Sequence, residues 1–92
     1  MTEDELVGVW IVDPVRQSRL AALNRHFDAH GAEMGAQNAE RYVRMAVAFA
    51  REKTGKGYLV SGLTPGVRRW RKAGKYIDIA PNGEIVSFGK SG

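Results

Sequence analysis

The fold is decided by the C-terminal stretch RRWRKAGKYIDIAPNGEIVSF, residues 68–88, in which apolar and polar side chains alternate. A period of two residues is typical of strands that bury one face. Ala73-Gly74 and Asn82-Gly83 interrupt the alternation as turn signals, and Asn-Gly is a strong signal for a tight hairpin. The stretch therefore predicts three antiparallel strands, at residues 67–72, 76–80 and 84–88.

Two-residue loops at both turns would fix the register of these strands. The predicted partners are Arg69 with Asp78, Arg71 with Tyr76, Asp78 with Ser87 and Ile79 with Val86. One face then carries apolar side chains, namely Trp70, Ile77, Ile79, Val86 and Phe88. The opposite face carries a polar strip, defined as Arg69, Arg71, Tyr76, Asp78 and Ser87. On composition alone this strip fits two interpretations equally well: a phosphodiester-binding surface, or a solvated outer face with an ordinary cross-strand ion pair.

Upstream of these strands, residues 58–63 keep the period of two and predict a fourth strand before the turn signal at 64–66. Farther upstream the apolar period becomes helical. Asp13 as N-cap and Pro14 at the first helical position predict a helix over 14–30 that stops at Gly31. Its expected buried stripe is Leu20, Leu23 and Phe27.

Asn38 is a good N-cap for a second helix over 39–53. The apolar stripe of this helix repeats at three and four residues and consists of Tyr42, Met45, Ala46 and Phe49. Short connections between the strands favour an antiparallel sheet. The predicted fold class is α+β, with two N-terminal helices packed on one face of a four-stranded antiparallel sheet.

The 92 residues predict a single domain, 1–92, with an N-terminal segment 1–13, a helical half 14–53 and a β-meander 58–88. Its net charge of +4 is divided unevenly. Residues 1–50 hold five basic and seven acidic residues, whereas residues 51–92 hold nine basic and three acidic ones. A basic half attracts phosphates, acidic lipid head groups or acidic proteins, and nucleic acid is the commonest of these partners.

Composition also excludes several classes of protein. The chain has no cysteine, which rules out a disulfide scaffold and a thiolate zinc site. Residues 1–5 are acidic where a signal peptide is basic, and no apolar run has the length of a membrane span. We therefore expect no membrane insertion, and any export must depend on a larger parent protein or a dedicated route. A plain cytosolic protein is equally compatible.

His26 and His30 are the only histidines, and they stand four residues apart near the end of the first predicted helix. Imidazole exchanges protons readily near neutral pH, so acid-base chemistry here is expected to use one of them. A histidine at a core margin is more often structural than catalytic, and a pair without a carboxylate or thiol partner is a weak metal signal. Proton transfer is favoured over a zinc site, because the basic half matches an anionic substrate.

A family resemblance is carried by three segments, HFxxHGxxMG at 26–35, NAExYxxxAxxF at 38–49 and NGEIVSF at 82–88. They resemble C-terminal toxin domains of bacterial polymorphic toxins, including contact-dependent growth inhibition effectors. Within that group they are similar to ribonucleases with the barnase, EndoU, colicin and RelE type of fold, which includes colicin D. The resemblance covers residues 20–53 well, the last hairpin moderately and residues 1–12 hardly at all.

The resemblance implies a metal-independent ribonuclease without a cofactor, often a tRNase-like endonuclease, delivered into the cytoplasm of a target bacterium as part of a larger effector. It also implies a cognate acidic immunity protein that blocks the site in a 1:1 complex with an otherwise monomeric domain. Carried over by position, the catalytic residues are His30, His26, Arg69, Arg71 and Ser87. From their charge or hydroxyl groups, the residues expected to bind the substrate are Arg68, Lys72, Lys75 and Tyr76.

One position departs from the family pattern. The family commonly has lysine just before the His-Gly pair, where this chain has Ala29. The missing charge is expected from Arg69 or Arg71, or else the activity is weaker or directed differently. Cleavage of RNA by its own 2′-hydroxyl needs a base, an acid and a cation at the phosphorane, and either histidine could be the base or the acid. Trp70 is expected in the core, whereas an exposed Trp70 would indicate base stacking.

Two other functions fit the sequence. A non-catalytic nucleic-acid-binding module needs the basic residues but neither histidine. A protein-interaction domain that docks an acidic partner needs no affinity for nucleic acid. Binding assays at low and high salt separate the two.

Overall fold

A computed structural model describes residues 8–10, 18–62 and 64–91, and its architecture is α+β as predicted. The described elements are two helices followed by four strands that form one antiparallel sheet in the order β1-β2-β3-β4. The helices are α1 (Arg19–His30) and α2 (Ala39–Glu52). The strands are β1 (Tyr58–Leu59), β2 (Arg68–Lys72), β3 (Lys75–Ile79) and β4 (Ile85–Lys90).

Helix α1 begins later than predicted. Ser18 is its N-cap, with extended backbone angles of −142° and 129° and an Oγ that accepts a hydrogen bond from the Ala21 N–H at 3.2 Å. The helix therefore does not run through Ser18 as predicted, and the predicted start at Asp13 and Pro14 lies outside the described residues. Leu20 is 51% exposed, so the prediction that it is buried is also wrong. Leu23 is buried as predicted.

Helix α1 ends at His30 as predicted, but not because Gly31 turns the chain through a left-handed conformation. Gly31 has right-handed angles of −58° and −46°. A Cβ atom at this position would lie 2.5 Å from the Phe27 ring, so glycine is required for close packing. The left-handed residue is Gly35, at φ 74°. The Ala36 N–H donates to the Gly31 carbonyl at 2.9 Å and closes the turn at 31–35.

Helix α2 contributes buried side chains to the core. Asn38 caps it as predicted, because its Oδ1 accepts a hydrogen bond from the Arg41 N–H at 2.9 Å. Tyr42 is completely buried and its hydroxyl donates to the Phe88 carbonyl on β4. Burial raises the pKa of Tyr42, which keeps the phenol neutral. Trp10 is also fully buried, with its ring centroid 5.6 Å from that of Tyr42.

The first hairpin follows the predicted register. Ala73 and Gly74 form a two-residue loop between β2 and β3, and their φ values of 53° and 77° are those that tight hairpins require. The predicted pairs of Arg69 with Asp78 and Arg71 with Tyr76 are confirmed. The fourth predicted strand, in contrast, is limited to the two residues of β1.

The second hairpin has a three-residue loop instead of the predicted two-residue loop. The Ala80 N–H donates to the Glu84 carbonyl at 2.9 Å, which leaves residues 81–83 in the loop. The Gly83 N–H donates back to the Ala80 carbonyl at 2.9 Å, and Gly83 has a φ of 90°. This is the turn-plus-left-handed-residue form of a hairpin loop.

The longer loop shifts the register at one step of β4. Ile79 pairs with Ile85, so the predicted pair of Ile79 with Val86 is wrong. A β-bulge at the step between Asp78 and Ile79 absorbs the additional residue, and Asp78 still pairs with Ser87 as predicted. Ile85 therefore enters the core in place of Val86.

The apolar face of the sheet, here called the inner face, contributes Ile77 and Phe88 to a core that also contains side chains of both helices. Trp70 packs against this core and is partly buried. Its indole N–H donates to the Gly55 carbonyl at 3.0 Å, and the Lys53 ammonium lies 4.6 Å from its ring. The opposite face is called the outer face and carries the polar strip.

Candidate functional site

The outer face holds an ion pair at its centre. Arg69 donates through Nε and Nη2 to the two carboxylate oxygens of Asp78, at 2.7 and 2.9 Å. Asp78 is only 6% exposed, and the hydrogen bond to it raises the pKa of Arg69 further, so the guanidinium stays charged. The guanidinium also lies 4.2 Å from the centroid of the Tyr76 ring. The N–H donors on one edge of the Arg69 guanidinium are thus used in hydrogen bonds within the protein.

Two hydroxyl groups lie beside this ion pair. The Tyr76 hydroxyl and the Ser87 Oγ are hydrogen bonded at 2.9 Å, and either atom can be the donor. Ser87 is 7% exposed, whereas Tyr76 is partly exposed. Two hydroxyls that share one hydrogen bond keep further capacity to donate to a phosphoryl oxygen.

His30 reaches the outer face over a glycine. Gly89 pairs with Tyr76 across the sheet, and a Cβ atom at Gly89 would lie 3.0 Å from the Nδ1 atom of His30 and 3.1 Å from Tyr76. A side chain at this position would require the neighbouring rings to shift by a few tenths of an ångström. The rings of His30 and Tyr76 meet edge to face, with centroids 6.3 Å apart. The end of α1 therefore delivers an imidazole to the polar strip.

A carboxylate fixes the orientation of this imidazole. The Oε1 atom of Glu33 lies 2.9 Å from the Nδ1 atom of His30, and its Oε2 atom accepts a hydrogen bond from the Lys90 N–H at 2.8 Å. The backbone hydrogen bond from Lys90 and the hydrogen bond to His30 lower the pKa of Glu33. An ionised Glu33 favours the tautomer with the proton on Nδ1, which leaves the lone pair on Nε2. Within the described ranges, Nε2 of His30 has no hydrogen-bond partner.

His26 lies on the core side of His30. The two imidazole rings are stacked with centroids 6.0 Å apart, and His26 lies 5.7 Å from the buried ring of Trp10. The indole N–H of Trp10 is buried and has no hydrogen-bond partner among the described residues. His26 is partly buried and makes a contact to the protein in addition to these ring contacts. His26 therefore lies behind His30 as seen from the polar strip.

Arg71 is the exposed cation of the polar strip. It pairs with Tyr76 across the first hairpin, and its guanidinium lies 5.9 Å from the ring of Tyr58 on β1. No carboxylate contacts Arg71 among the described residues. Unlike Arg69, it is available to an anionic ligand.

The structure thus brings together, near the outer face, five of the residues nominated from the sequence: His30, Arg69, Arg71, Tyr76 and Ser87. Three others lie elsewhere, because alternate residues of a strand point to opposite faces. Arg68 and Lys72 alternate with Arg69 and Arg71, and Lys75 alternates with Tyr76. The Nη1 atom of Arg68 donates to the Lys56 carbonyl at 3.5 Å.

Sequence reasoning missed two residues of this site. Glu33 lies three positions after His30, in the turn that follows α1, and a carboxylate so near in sequence could have been considered as a partner of the imidazole. Gly89 had no comparable signal, since its importance depends on what packs above it.

No group of three or more metal-ligating side chains is close enough to hold a metal ion in the part of the chain that the structure describes. Likewise, none of the described helices is both long and apolar enough to cross a membrane. Comparisons of the chain with known protein families, with curated proteins and with solved structures find no match.

Proposed function

We propose that this domain is a metal-independent ribonuclease that cleaves RNA through attack of the 2′-hydroxyl on the adjacent phosphate. The observation that carries the proposal is the Glu33-oriented imidazole of His30, placed against the hydroxyls and arginines of the polar strip. A base, hydroxyl donors and a free cation on one face match the needs of this reaction. The family resemblance of the sequence supports the same reaction class.

In the proposed reaction, Nε2 of His30 takes the proton from the 2′-hydroxyl while the 2′-oxygen bonds to phosphorus. The bond from phosphorus to the 5′-oxygen breaks, and a second group protonates that oxygen. The candidate for this acid is the hydroxyl of Tyr76, because it lies on the polar strip whereas His26 lies behind His30. The products are a 2′,3′-cyclic phosphate and a 5′-hydroxyl.

The cation that stabilises the phosphorane is Arg71 rather than Arg69. Arg69 spends two of its donors on Asp78, whereas Arg71 is exposed and carries no such pair among the described residues. Arg71 also lies next to Tyr76 in the register. Arg69 then acts as a positioning residue, because its guanidinium packs on the ring of Tyr76.

The same proposal extends to origin and fold. We propose a barnase, EndoU, colicin and RelE type of fold, and a toxin domain of a larger effector that acts on transfer RNA in a target bacterium. An acidic immunity protein would bind the basic half. A helix that presents a histidine to the open face of a four-stranded antiparallel sheet supports this assignment.

The test is cleavage of total cellular RNA by purified, folded protein in a chelator. The His30→Ala variant is expected to lose roughly 100- to 10,000-fold in rate, the usual contribution of a positioned acid-base residue. Asp28→Asn is the control, because Asp28 is an exposed residue of the same helix. Intact RNA with wild-type protein would end the ribonuclease proposal, and RNA binding without cleavage would select a non-catalytic module.

A further inference from the structure

β1 consists of two consecutive residues with large, exposed side chains, and these side chains lie on opposite faces of the sheet. Tyr58 is 44% exposed and Leu59 is 63% exposed. Tyr58 pairs with Arg69, so it lies on the outer face, whereas Leu59 pairs with Arg68 on the inner side. The aromatic residue is therefore the one that shares a face with His30.

The register places Tyr58 in a row with three members of the polar strip. Tyr58 pairs with Arg69, Arg69 with Asp78, and Asp78 with Ser87, one residue from each strand. Three inter-strand spacings span roughly 14 Å. The ring thus lies at the far edge of the face on which His30 approaches Gly89, within the reach of a short single-stranded oligonucleotide.

The surroundings of Tyr58 match a nucleotide in charge as well as in shape. The guanidinium of Arg71 lies 5.9 Å from its ring centroid, and Arg69 is its cross-strand partner. An exposed aromatic ring flanked by cations offers a stacking surface for a base and counter-charges for the phosphates on either side. A double helix keeps its bases stacked internally, so this arrangement suits unpaired nucleotides.

We infer that Tyr58 is a base-stacking subsite for single-stranded RNA, outside the dinucleotide on whose phosphate Arg71 and His30 act. The inference rests on the proposed ribonuclease function and names its substrate class as unpaired RNA. Tyr58 would act in binding, and it takes no part in proton transfer.

The direct test uses a fluorescent 2′-O-methyl oligoribonucleotide of about eight nucleotides, within the usual site sizes for single strands. It lacks the 2′-hydroxyl nucleophile, so binding is measured without cleavage. Tyr58→Ala is expected to weaken binding roughly 5- to 150-fold, and Tyr58→Trp is expected to keep it. Leu59→Ala is the matched control, and its affinity is expected to stay within about twofold of wild type.

Several outcomes would overturn the inference: wild-type protein that does not bind the probe at low salt, Tyr58→Ala with unchanged affinity, Leu59→Ala with an equal loss, or an equal loss for a duplex of the same sequence. Cleavage assays separate these outcomes from the ribonuclease proposal. Tyr58→Ala is expected to raise KM for long RNA while leaving kcat/KM for a dinucleoside monophosphate unchanged. Tyr58-dependent binding without any cleavage would refute the ribonuclease and leave the stacking subsite standing.

Discussion

The two faces of the sheet use adjacent residues of the same strand in opposite ways. On β4, Phe88 is 1% exposed within the apolar core, whereas its neighbour Ser87 is 7% exposed and hydrogen bonded to Tyr76 on the outer face. Burial is nearly equal, but only the inner face gains its stability from apolar contacts. The outer face buries polar groups that must be matched one by one, which adds little net stability. On this face the buried polar groups are matched within the sheet, Asp78 by Arg69 and Ser87 by Tyr76.

The largest expected effect is a decrease in the free energy of unfolding, caused by a substitution on the inner face. Phe88→Ala removes a ring that contacts those of Tyr42 and Phe49, at centroid distances of 5.7 and 5.6 Å. The loss of burial and the resulting cavity should cost about 3–5 kcal/mol of unfolding free energy. Ser87→Ala is the matched change on the outer face and should cost about 1 kcal/mol. Urea unfolding measures both, and equal costs would contradict the division between the faces.

A smaller loss of stability is expected from a change at Asp78, the buried acid of the outer face. Asp78→Asn removes the charge that pairs with Arg69 and replaces a two-point interaction by a weaker one. Because Arg69 is partly exposed, the expected cost is about 1–3 kcal/mol rather than that of a fully buried pair. RNA binding at low salt should be retained, since Arg71 is untouched and the net positive charge increases. A loss of binding with unchanged stability would mean that Asp78 serves the site and not the fold.

A gain in stability is expected at the turn that joins β2 to β3 and belongs to neither face. Ala73 has a φ of 53°, in the left-handed region that side chains with a Cβ disfavour. Ala73→Gly should raise the unfolding free energy by about 0.5–1 kcal/mol, because the relief of strain exceeds the entropic cost of glycine. Cleavage should be unchanged. Ala80→Gly is a control at a buried position of the other hairpin and should lower stability.

The sequence predicted the alternation of faces but not the details that assemble the site. Local signals were sufficient for the Asn38 cap, for the first hairpin and for the pairing of Asp78 with Ser87. In the second hairpin Asn82-Gly83 indicates a two-residue loop, whereas the structure has Pro81 at the second position of a turn that the Gly83 N–H and the Ala80 carbonyl close.

Other features could not be predicted, because they depend on contacts between distant parts of the chain. The approach of His30 to Gly89 joins residues far apart in sequence, and no local pattern marks it. The same holds for the backbone hydrogen bond from Lys90 to Glu33. Arg69 was nominated as a phosphate ligand from its residue type, and only the geometry shows that Asp78 occupies much of its hydrogen-bonding capacity.

The smallest expected effect concerns the link that Glu33 forms between His30 at the end of α1 and Lys90 at the end of β4. The folded state lowers the pKa of Glu33 below its ordinary value of 4.5, through the Lys90 N–H and then His30. A lowered pKa means that the link contributes its stability above the unfolded value, and that this contribution is lost as the pH falls through the folded pKa. The difference in unfolding free energy between wild type and Glu33→Gln should therefore shrink as the pH falls below about 5. A difference that persists unchanged at pH 3 would show that the charge of Glu33 does not hold the turn to β4.

Because tautomer control needs that same charge, the ¹⁵N signals of His30 should lose their preference for protonated Nδ1 in Glu33→Gln, a change that a purely structural role would not produce.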